Sequence, residues 1–585
     1  GRSSLRAGGA LPVTFGRFRF LSRVAVASAA TVWAAPALAQ RDVPIGGRTA
    51  TMGGAGTAAG NDSAMPYLNP AGLAGVPGDV FAVSASIYAY QRLGIDDFFY
   101  PKGTPAGFGP GRVESQKVSA GSVIEVPTAV MYLKRLNPPE SHVQTLAGVS
   151  LVIPSLELTE VVATQRTEFP GIDGTLVDSG SVSRRRTDYY VGPTYALGIG
   201  KGFRLGLSLY ALFVQEFESL QFTQFFTAAG GSIVSEMSDK RAVKRSSFAF
   251  APIAGMQVEL AEHVWLGTGV AVPTMHLTGS LEREFEARGG GNDPADISNA
   301  TLESIATSVS DGHHYADRPL RLNLGVAYDN RESFSLAADV VYFHSRKSAL
   351  ADRGVARGSD RSLGQLPRLY ERPYSVDVDV GSVVDFSAGT ELVLSQLFAL
   401  RFGALTGFSN EPTYSVGTAE LYRFRMNRLG GTLGLGITLG SFDTTIGAAY
   451  LHSAGDFITI DGRPRSEGGT AGGPTRVGAS SDALFLVLSS VVTLEEAKAT
   501  IKKTVPVDIP FNPADIEPVP GFDSKPLQPP SQKPPPPPAP PPSPAPAQPD
   551  PPAPAAPEAP AAPSPAPDTP PPSDAPSPPS PPPGP

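Results

Sequence analysis

Residues 202–213 read GFRLGLSLYALF, and their side chains alternate between two chemically different faces. Successive residues of a β-strand point to opposite sides, so this period of two predicts a strand with one apolar face. The apolar face consists of Phe203, Leu205, Leu207, Leu209, Ala211 and Phe213. The opposite face consists of Arg204, Gly206, Ser208 and Tyr210.

The same alternation recurs along the chain, for example in 333–343 (SFSLAADVVYF), 382–394 (SVVDFSAGTELVL) and 429–440 (LGGTLGLGITLG). Counting such stretches predicts fourteen strands. They lie near 79–90, 125–135, 143–153, 188–199, 202–213, 247–260, 263–273, 319–329, 332–345, 382–395, 397–408, 428–439, 441–452 and 482–493. The predicted fold is all-β.

The connections between these strands alternate between long and short. Long connections such as 214–246, 274–318 and 346–381 are followed by abrupt turns, such as Gly200-Lys201 and Gly440. A soluble sandwich has no reason to place every long loop at one end, whereas an outer-membrane barrel has short periplasmic turns and long outer loops. We therefore predict a transmembrane antiparallel barrel over 79–494, located in the cell outer membrane and surrounded by its lipid, with both termini in the periplasm. Aromatic residues near predicted strand ends fit its interfacial girdles: Tyr90, Tyr328, Tyr342, Phe408 and Tyr450.

Composition excludes several other classes of protein. The 585 residues include 62 Gly and 61 Pro, only 17% are charged, and the net charge is −8. The absence of a basic block argues against nucleic-acid binding. Because the chain has no Cys, it offers no disulfide framework, thiolate nucleophile or cysteine-based zinc site.

The N-terminal region predicts export. Arg17, Arg19 and Arg23 precede the apolar stretch VAVASAATVWAAPALA, which ends in Ala37-Leu38-Ala39. This order matches a signal peptide with a small-x-small cleavage site, so residues 1–39 are predicted to be removed. The alternative is an N-terminal membrane anchor, for which the stretch is short and rich in alanine.

A glycine-rich segment lies between this signal and the first strand, and it contains YLNPAGLAGVP at residues 67–77. Asn-Pro favours a turn and fixes the following φ, which indicates a compact element rather than a flexible linker. In this position, MGGAGTAAGNDSAMPYLNPAGLAGV (52–76) resembles the N-terminal hatch of the FadL/TodX family of outer-membrane transporters for hydrophobic compounds. The residues that carry the resemblance are Asn69, Pro70, Ala71, Gly72 and Leu73.

The resemblance covers residues 40 to about 500 and implies a mechanism. A hatch formed by residues 40–78 would plug the barrel, and a long-chain fatty acid or hydrocarbon would bind inside and leave sideways through a kinked third strand. In this chain the third strand, TLAGVSLVIPS, ends near Pro154, a residue that cannot donate to a ladder. Pro154 is therefore a candidate for the lateral gate, with a simple strand end as the alternative. No ligand-pocket residue of the family is carried over.

Two arginines on predicted inward faces, Arg204 and Arg321, are candidates for binding a ligand carboxylate, because guanidinium groups bind carboxylates bidentately. The alternative is that they form lumen salt bridges with Asp339, Asp385 or Glu391.

Catalysis has little support in the sequence. There is no G-x-S-x-G elbow and no H-E-x-x-H pair, so we expect no enzyme, cofactor or metal site. The pair His313-His314 falls in a predicted outer loop, where exposed polar decoration is the expected role. The acidic loop GGGNDPADISNA (289–300) lacks the spacing of a calcium loop.

The C-terminal region departs from the barrel pattern. TLEEAKATIKKT predicts a short helix within 495–525, and residues 526–585 are dominated by Pro, Ala and Ser, which predicts a disordered or polyproline II tail. Three functions therefore compete. The first is a passive transporter of hydrophobic molecules, and the second is a scaffold whose barrel anchors a periplasmic tail to a partner or the cell wall. The third is an outer-membrane enzyme.

Overall fold

The structure is a computed structural model that describes fourteen stretches of the chain and includes most of the predicted barrel. The signal region, the predicted short helix after residue 494 and the proline-rich tail lie outside the described residues. The described residues are 45–99, 104–105, 112–113, 117–124, 128–138, 141–154, 156–168, 174–200, 202–228, 233–293, 296–361, 366–410, 424–460 and 474–494.

Fourteen antiparallel strands form a closed barrel. Each strand pairs with its neighbours in the sequence, and the last strand pairs with the first, from Val80 with Thr493 to Ile95 with Ala479. The first seven are β1 (Val80–Ile95), β2 (Val118–Ile124 and Thr128–Arg135), β3 (Val143–Val152 and Leu156–Glu168), β4 (Gly174–Ile199), β5 (Phe203–Ala228), β6 (Ile233–Ala261) and β7 (Val264–Ala271 and Met275–Asp293). The others are β8 (Asp296–Ala316 and Arg321–Asn330), β9 (Phe334–Phe343 and Arg346–Arg361), β10 (Arg368–Val380 and Val383–Val393), β11 (Phe398–Gly407), β12 (Phe424–Leu439), β13 (Phe442–Ile460) and β14 (Pro474–Thr493). The predicted strand count and fold class are confirmed.

Short turns join the strands at one end of the barrel, which we call the turn end. Gly200 and Gly440 have positive φ values of 61° and 56°, as tight hairpins require, and His263 also has a positive φ of 65°. Because the strand number is even, β1 begins and β14 ends at this same end. The opposite end, where the longer strands project, is called the rim.

An apolar band surrounds the outside of the barrel, as a membrane-spanning wall requires. On β5, the outward-facing side chains from Phe203 to Phe213 are apolar, whereas Gln215 and Gln221 follow on the same face nearer the rim, with Phe217 between them. At about 3.3 Å per residue and a tilt of about 40°, this run rises about 25 Å, the height of the apolar band of such barrels. The aromatic side chains of Tyr90, Phe408 and Tyr450 are exposed.

The strands are much longer than the sequence pattern predicted. Residues 214–246, 274–318 and 346–381 were expected as outer loops, but most of each range continues the neighbouring strands towards the rim. The expectation was wrong because it required an apolar outward face. Beyond the lipid band, both faces of a strand can be polar. Apolar and polar residues then no longer alternate in the sequence, and the strand leaves no pattern of period two.

The N-terminal segment, residues 45–79, lies inside the barrel near the turn end. It contains two single-turn helices, α1 (Arg48–Thr51) and α2 (Met65–Leu68), followed by a 3₁₀ helix, Pro70–Gly75. Nearly all of its side chains are buried against the inward faces of the strands. In the described part of the chain, no helix has the length and the apolar character needed to cross a membrane.

We predict that Leu207→Arg, at the middle of the band on β5, destabilises the inserted barrel by about 2–4 kcal/mol, because a charge on the lipid face must be desolvated. The measurement is the free energy of unfolding in lipid vesicles. The matched control is Gln221→Arg, on the same face of the same strand beyond the band, which should change that energy by less than about 1 kcal/mol. Equal effects at the two positions would contradict the assigned band.

Candidate functional site: the lumen, its N-terminal segment and the wall

Asp62 organises the start of the N-terminal segment. Its carboxylate accepts hydrogen bonds from the backbone N–H groups of Gly47 (3.0 Å) and Thr49 (2.7 Å), and from the hydroxyl of Thr49 (3.0 Å). These contacts cap α1, which is otherwise too short to be stable. The local fold therefore depends on one buried carboxylate.

The Asn-Pro-Ala motif joins the N-terminal segment to the wall. The Asn69 amide donates to the carbonyls of Thr57 (2.7 Å) and Met256 (3.1 Å), and its Oδ1 accepts the N–H of Ala71 (3.2 Å). Pro70 opens the 3₁₀ helix, where its missing N–H costs nothing. Asn69, Pro70, Ala71, Gly72 and Leu73 are all buried.

A girdle of inward-facing glycines lets the backbone of this segment approach the barrel. A Cβ on Gly255 would lie 1.8 Å from Asn69 Oδ1, and a Cβ on Gly403 would lie 2.1 Å from Gly53 N. Such distances are sterically impossible, so these positions require glycine. Glycines also pair across neighbouring strands in the girdle: Gly206 with Gly255, Gly255 with Gly269, Gly267 with Gly325, Gly389 with Gly403, and Gly434 with Gly447.

Ion pairs attach the other side of the N-terminal segment to β8 and β10. Arg48 contacts Asp329 at 2.8 Å and Glu391 at 3.2 Å, and Arg401 also binds Glu391. Burial disfavours a charged Arg48, but these two carboxylates outweigh that effect and hold its pKa above its usual value. Because all partners are buried, loss of one would leave an uncompensated charge.

The carboxylates expected to pair with Arg204 and Arg321 have other described partners. Asp339 accepts from Gly56 N (2.8 Å), Thr57 N (2.9 Å) and Thr57 Oγ1 (2.8 Å). Asp385 accepts from Phe408 N at 2.7 Å. Glu391 binds Arg48 and Arg401, as described above.

The two candidate arginines face the lumen but do not form one site. Arg204 donates to Gln257 Oε1 (3.2 Å) and lies 4.1 Å above the ring of Trp265. Arg321 lies 4.1 Å above the ring of Tyr67 and donates to the carbonyl of Tyr67. Strand β7 lies between them and gives their separation. Arg204 is level with Gly267 of β7, through Gln257 of β6, and Arg321 is level with Ala271 of β7. These two β7 residues are about 13 Å apart along the strand.

Aromatic side chains line the lumen beside Arg321. Tyr67 and Tyr190 meet edge to face at 5.1 Å, and Tyr190 meets Tyr210 at 5.6 Å. A cavity of about 40 Å³ lies here, bounded also by Ile253 and Phe343. Its lining also includes Asp188, Arg318 and Arg321, so the chamber combines aromatic and charged side chains, and it is large enough only for a small group in this conformation.

A second aromatic cluster lies near the rim, and sequence reasoning missed it. Phe98 stacks on Phe457 at 5.9 Å and contacts Phe99 at 5.0 Å, while Phe99 contacts Phe222 at 6.2 Å. Phe98 and Phe99 were assigned to an outer loop, yet both are buried. The sequence signal was the FF pair directly after β1, which an exposed loop would not need.

Buried charges fill the lumen above the lipid band. Arg184 binds Glu216 at 3.3 Å, and Arg245 binds Asp352 at 3.0 Å. Burial disfavours the ionised form of Glu216, but Arg184, Arg245 and Arg186 hold its pKa below its usual value. This part of the barrel interior is therefore lined by charge pairs.

His314 corrects one expectation. The pair His313-His314 was expected to decorate an exposed loop, but His314 lies on the inward face of β8 and is 1% exposed. Its Nδ1 lies 2.7 Å from Asp352 Oδ1. His313 faces outward, because neighbouring residues of a strand point to opposite sides.

The wall is interrupted at Pro154. β3 breaks between Val152 and Leu156, and Pro154 is buried in the break. Among the described residues, the ladder from β2 to β3 ends at Val152, while the ladder from β3 to β4 resumes at Leu156. The second half of β3 pairs with β4 in a described ladder and lies next to Val118–Ile124 of β2 without a described ladder between them.

No protein-family model and no curated protein matches the chain. Among solved structures, the chain is similar to a FadL homologue of Pseudomonas aeruginosa, with a TM-score of 0.46 and 12% identity, covering 79% of this chain and 100% of that chain. It is similar to the toluene transporter TodX of P. putida, with a TM-score of 0.45 and 14% identity, covering 77% and 99%. It is also similar to the toluene transporter TbuX of Ralstonia pickettii, with a TM-score of 0.41 and 12% identity, covering 77% of this chain and 98% of that chain. These names include the family that residues 52–76 resemble.

In the described ranges, no three His, Asp or Glu side chains gather into a group that could hold a metal ion.

We predict that Asn69→Ala loosens the N-terminal segment by about 2–4 kcal/mol, because it removes three hydrogen bonds and leaves the buried Ala71 N–H without its described acceptor. Faster proteolysis within residues 45–79 and brief conductance bursts in planar bilayers would report this. The control is Asn427→Ala, an exposed position that accepts one hydrogen bond from Ser409 N. A closed, protease-resistant Asn69→Ala barrel would count against the docking role of Asn69.

Proposed function

We propose that the chain is an outer-membrane transporter for the passive uptake of hydrophobic molecules, such as long-chain fatty acids or hydrocarbons. The single observation that carries the proposal is a closed barrel whose lumen near the turn end is occupied by its own N-terminal segment, while strand β3 is interrupted at Pro154. A barrel that carries polar solutes needs a water-filled channel through its centre. In this barrel, the girdle of glycines lets the backbone of the N-terminal segment lie directly against the backbone of the wall, where such a channel would have to pass.

The interior chemistry supports an apolar cargo. Aromatic rings occur both near the rim, around Phe98 and Phe457, and deeper, around Tyr67 and Tyr190. Each CH₂ group of a cargo gains about 0.8 kcal/mol when it leaves water, so these two aromatic clusters favour aliphatic or aromatic molecules. Arg321, beside the deeper cluster of Tyr67 and Tyr190, suits a carboxylate on the cargo.

The break at Pro154 supports a sideways exit. Cargo leaving through the wall would enter the bilayer directly and would never cross the polar turn end. A strand with an unpaired edge in lipid leaves backbone groups unsatisfied, so a break that is kept needs a function or a compensating partner. We assign to Pro154 the role of keeping this part of the ladder open.

We also propose that the turn end and both termini face the periplasm, which would place the predicted proline-rich tail, residues 526–585, on that side. A tail that binds the cell wall or a periplasmic protein would add a scaffold function to transport.

The orientation can be tested with single cysteines in this Cys-free chain. We expect a membrane-impermeant maleimide to label Gln221→Cys on intact cells, because β5 projects this side chain outside. Glu262→Cys, in the exposed turn between β6 and β7, should be labelled only after the outer membrane is opened. The reverse pattern would invert the assignment.

We predict that Pro154→Val lowers the uptake of radiolabelled oleate or toluene at least about threefold while the barrel still inserts. Valine adds a ladder donor and favours strand pairing, so the break should narrow. The control is Pro373→Val, at an exposed position on β10 near the rim, which should leave uptake unchanged. Unchanged uptake in Pro154→Val, with insertion verified by heat modifiability, would remove Pro154 from the pathway.

A further inference from the structure

A second cavity lies at the turn end, apart from the proposed cargo pathway. It has a volume of about 400 Å³ and is covered by residues 74–77 of the N-terminal segment. Its side chains come from the inward faces of β2, β3 and β5, as Arg135, Gln144 and Arg204. Gly198 and Gly200 also line the cavity, and the two arginines and Gln144 make its lining polar.

Arg135 brings a positive charge to this cavity without a described counter-ion. Its Nη2 donates to the Val76 carbonyl at 3.1 Å, and its backbone N–H donates to Asp79 Oδ1 at 2.9 Å. Its Nε is buried and has no hydrogen-bond partner among the described residues. One edge of the guanidinium therefore retains donor capacity.

Arg204 brings the second charge. Its described contacts are the amide oxygen of Gln257 and the ring of Trp265, both uncharged. Two carboxylates act on it only at longer range, those of Glu259 and Asp329, and Asp329 is already held by Arg48 (2.8 Å) and Arg331 (3.1 Å). Among the described residues that line the cavity itself, none is acidic.

Two guanidinium groups facing one cavity without a carboxylate repel each other and are costly to desolvate. An oxyanion offsets both effects, because carboxylate and phosphate oxygens match the planar donor pattern of arginine. We propose that this cavity is an oxyanion-binding site in which Arg135, Arg204 and the amide of Gln144 hold a carboxylate or phosphate group. The site does not depend on what the barrel transports.

The oxyanion has two possible sources with the same chemistry. One is a small soluble anion that reaches the turn end. The other is the chain itself, because Leu494 N donates to Asp79 O at 2.9 Å, and the next residues in the sequence are Glu495 and Glu496. The same Asp79 accepts the backbone N–H of Arg135, so Leu494, the last described residue, lies close to the cavity.

A tryptophan next to Arg204 provides the readout. The chain has two Trp, Trp33 in the predicted signal and Trp265 in the lumen. In full-length Trp33→Phe protein, all indole emission comes from Trp265. We expect inorganic phosphate or acetate, titrated at constant ionic strength, to change this emission saturably.

Arg135→Gln is the decisive variant, because it leaves the Arg204–Trp265 contact in place. The midpoint of the titration should rise at least about tenfold, as expected for loss of a charge-assisted hydrogen bond. Lys134→Gln is the matched control, since it removes the same charge from the outward face of the same strand and should shift the midpoint less than about twofold.

Glu495→Gln/Glu496→Gln separates the two sources. If the midpoint is the same with and without this double change, the site takes a soluble anion. If the double variant binds the probe at least about tenfold more tightly, the chain's own carboxylates occupy the site. The proposal is overturned if neither protein responds saturably, or if Arg135→Gln binds like the parent. Uptake of oleate or toluene by the same variants reports on transport separately.

Discussion

Closure of the backbone ladder is the constraint on which the rest of this structure depends. A sheet edge in lipid would leave a row of N–H and C=O groups without partners, each costing several kcal/mol. The pairing of β14 with β1, from Thr493 with Val80 to Ala479 with Ile95, removes that edge. An even number of strands follows for an antiparallel ring, and so does the return of β14 to the end at which β1 begins.

A closed ring of fourteen strands encloses a lumen that its own side chains do not fill, and the N-terminal segment fills it near the turn end. The N-terminal segment packs closely against the wall because glycines lie opposite each other on neighbouring strands. The missing side chains let Asn69 and Gly53 reach the strand backbone. Specificity comes from buried polar pairs such as Arg48 with Asp329 and Glu391. Such pairs fix position more than they add stability, since their desolvation offsets much of their attraction.

The wall departs from regular pairing at the places where function is proposed. At Pro154 the ladder to β2 stops, while the ladder to β4 continues past the break. Above the lipid band the interior contains ion pairs, with Glu216 and Asp352 each bound by arginines, and the aromatic cluster of Phe98 and Phe457 lies near the rim. At the turn end, by contrast, Arg135 and Arg204 face a cavity whose described lining residues include no acid. Each end of the lumen therefore presents a different chemistry to a molecule that approaches it.

The sequence by itself determined the strand number, the order of long and short connections and the inward direction of Arg204 and Arg321, because a period of two fixes which face a side chain occupies. It did not reveal that 214–246 is mostly strand, since a strand outside lipid needs no apolar face, nor that His314 is buried. The partners of the lumen residues were decided only by the tertiary structure. Asp339 binds Gly56 and Thr57, which lie more than 280 residues away in the chain, and Gly255 meets Asn69. Alternation says which side of the wall a residue faces, but ring closure and the shear between strands decide which residues meet across the lumen.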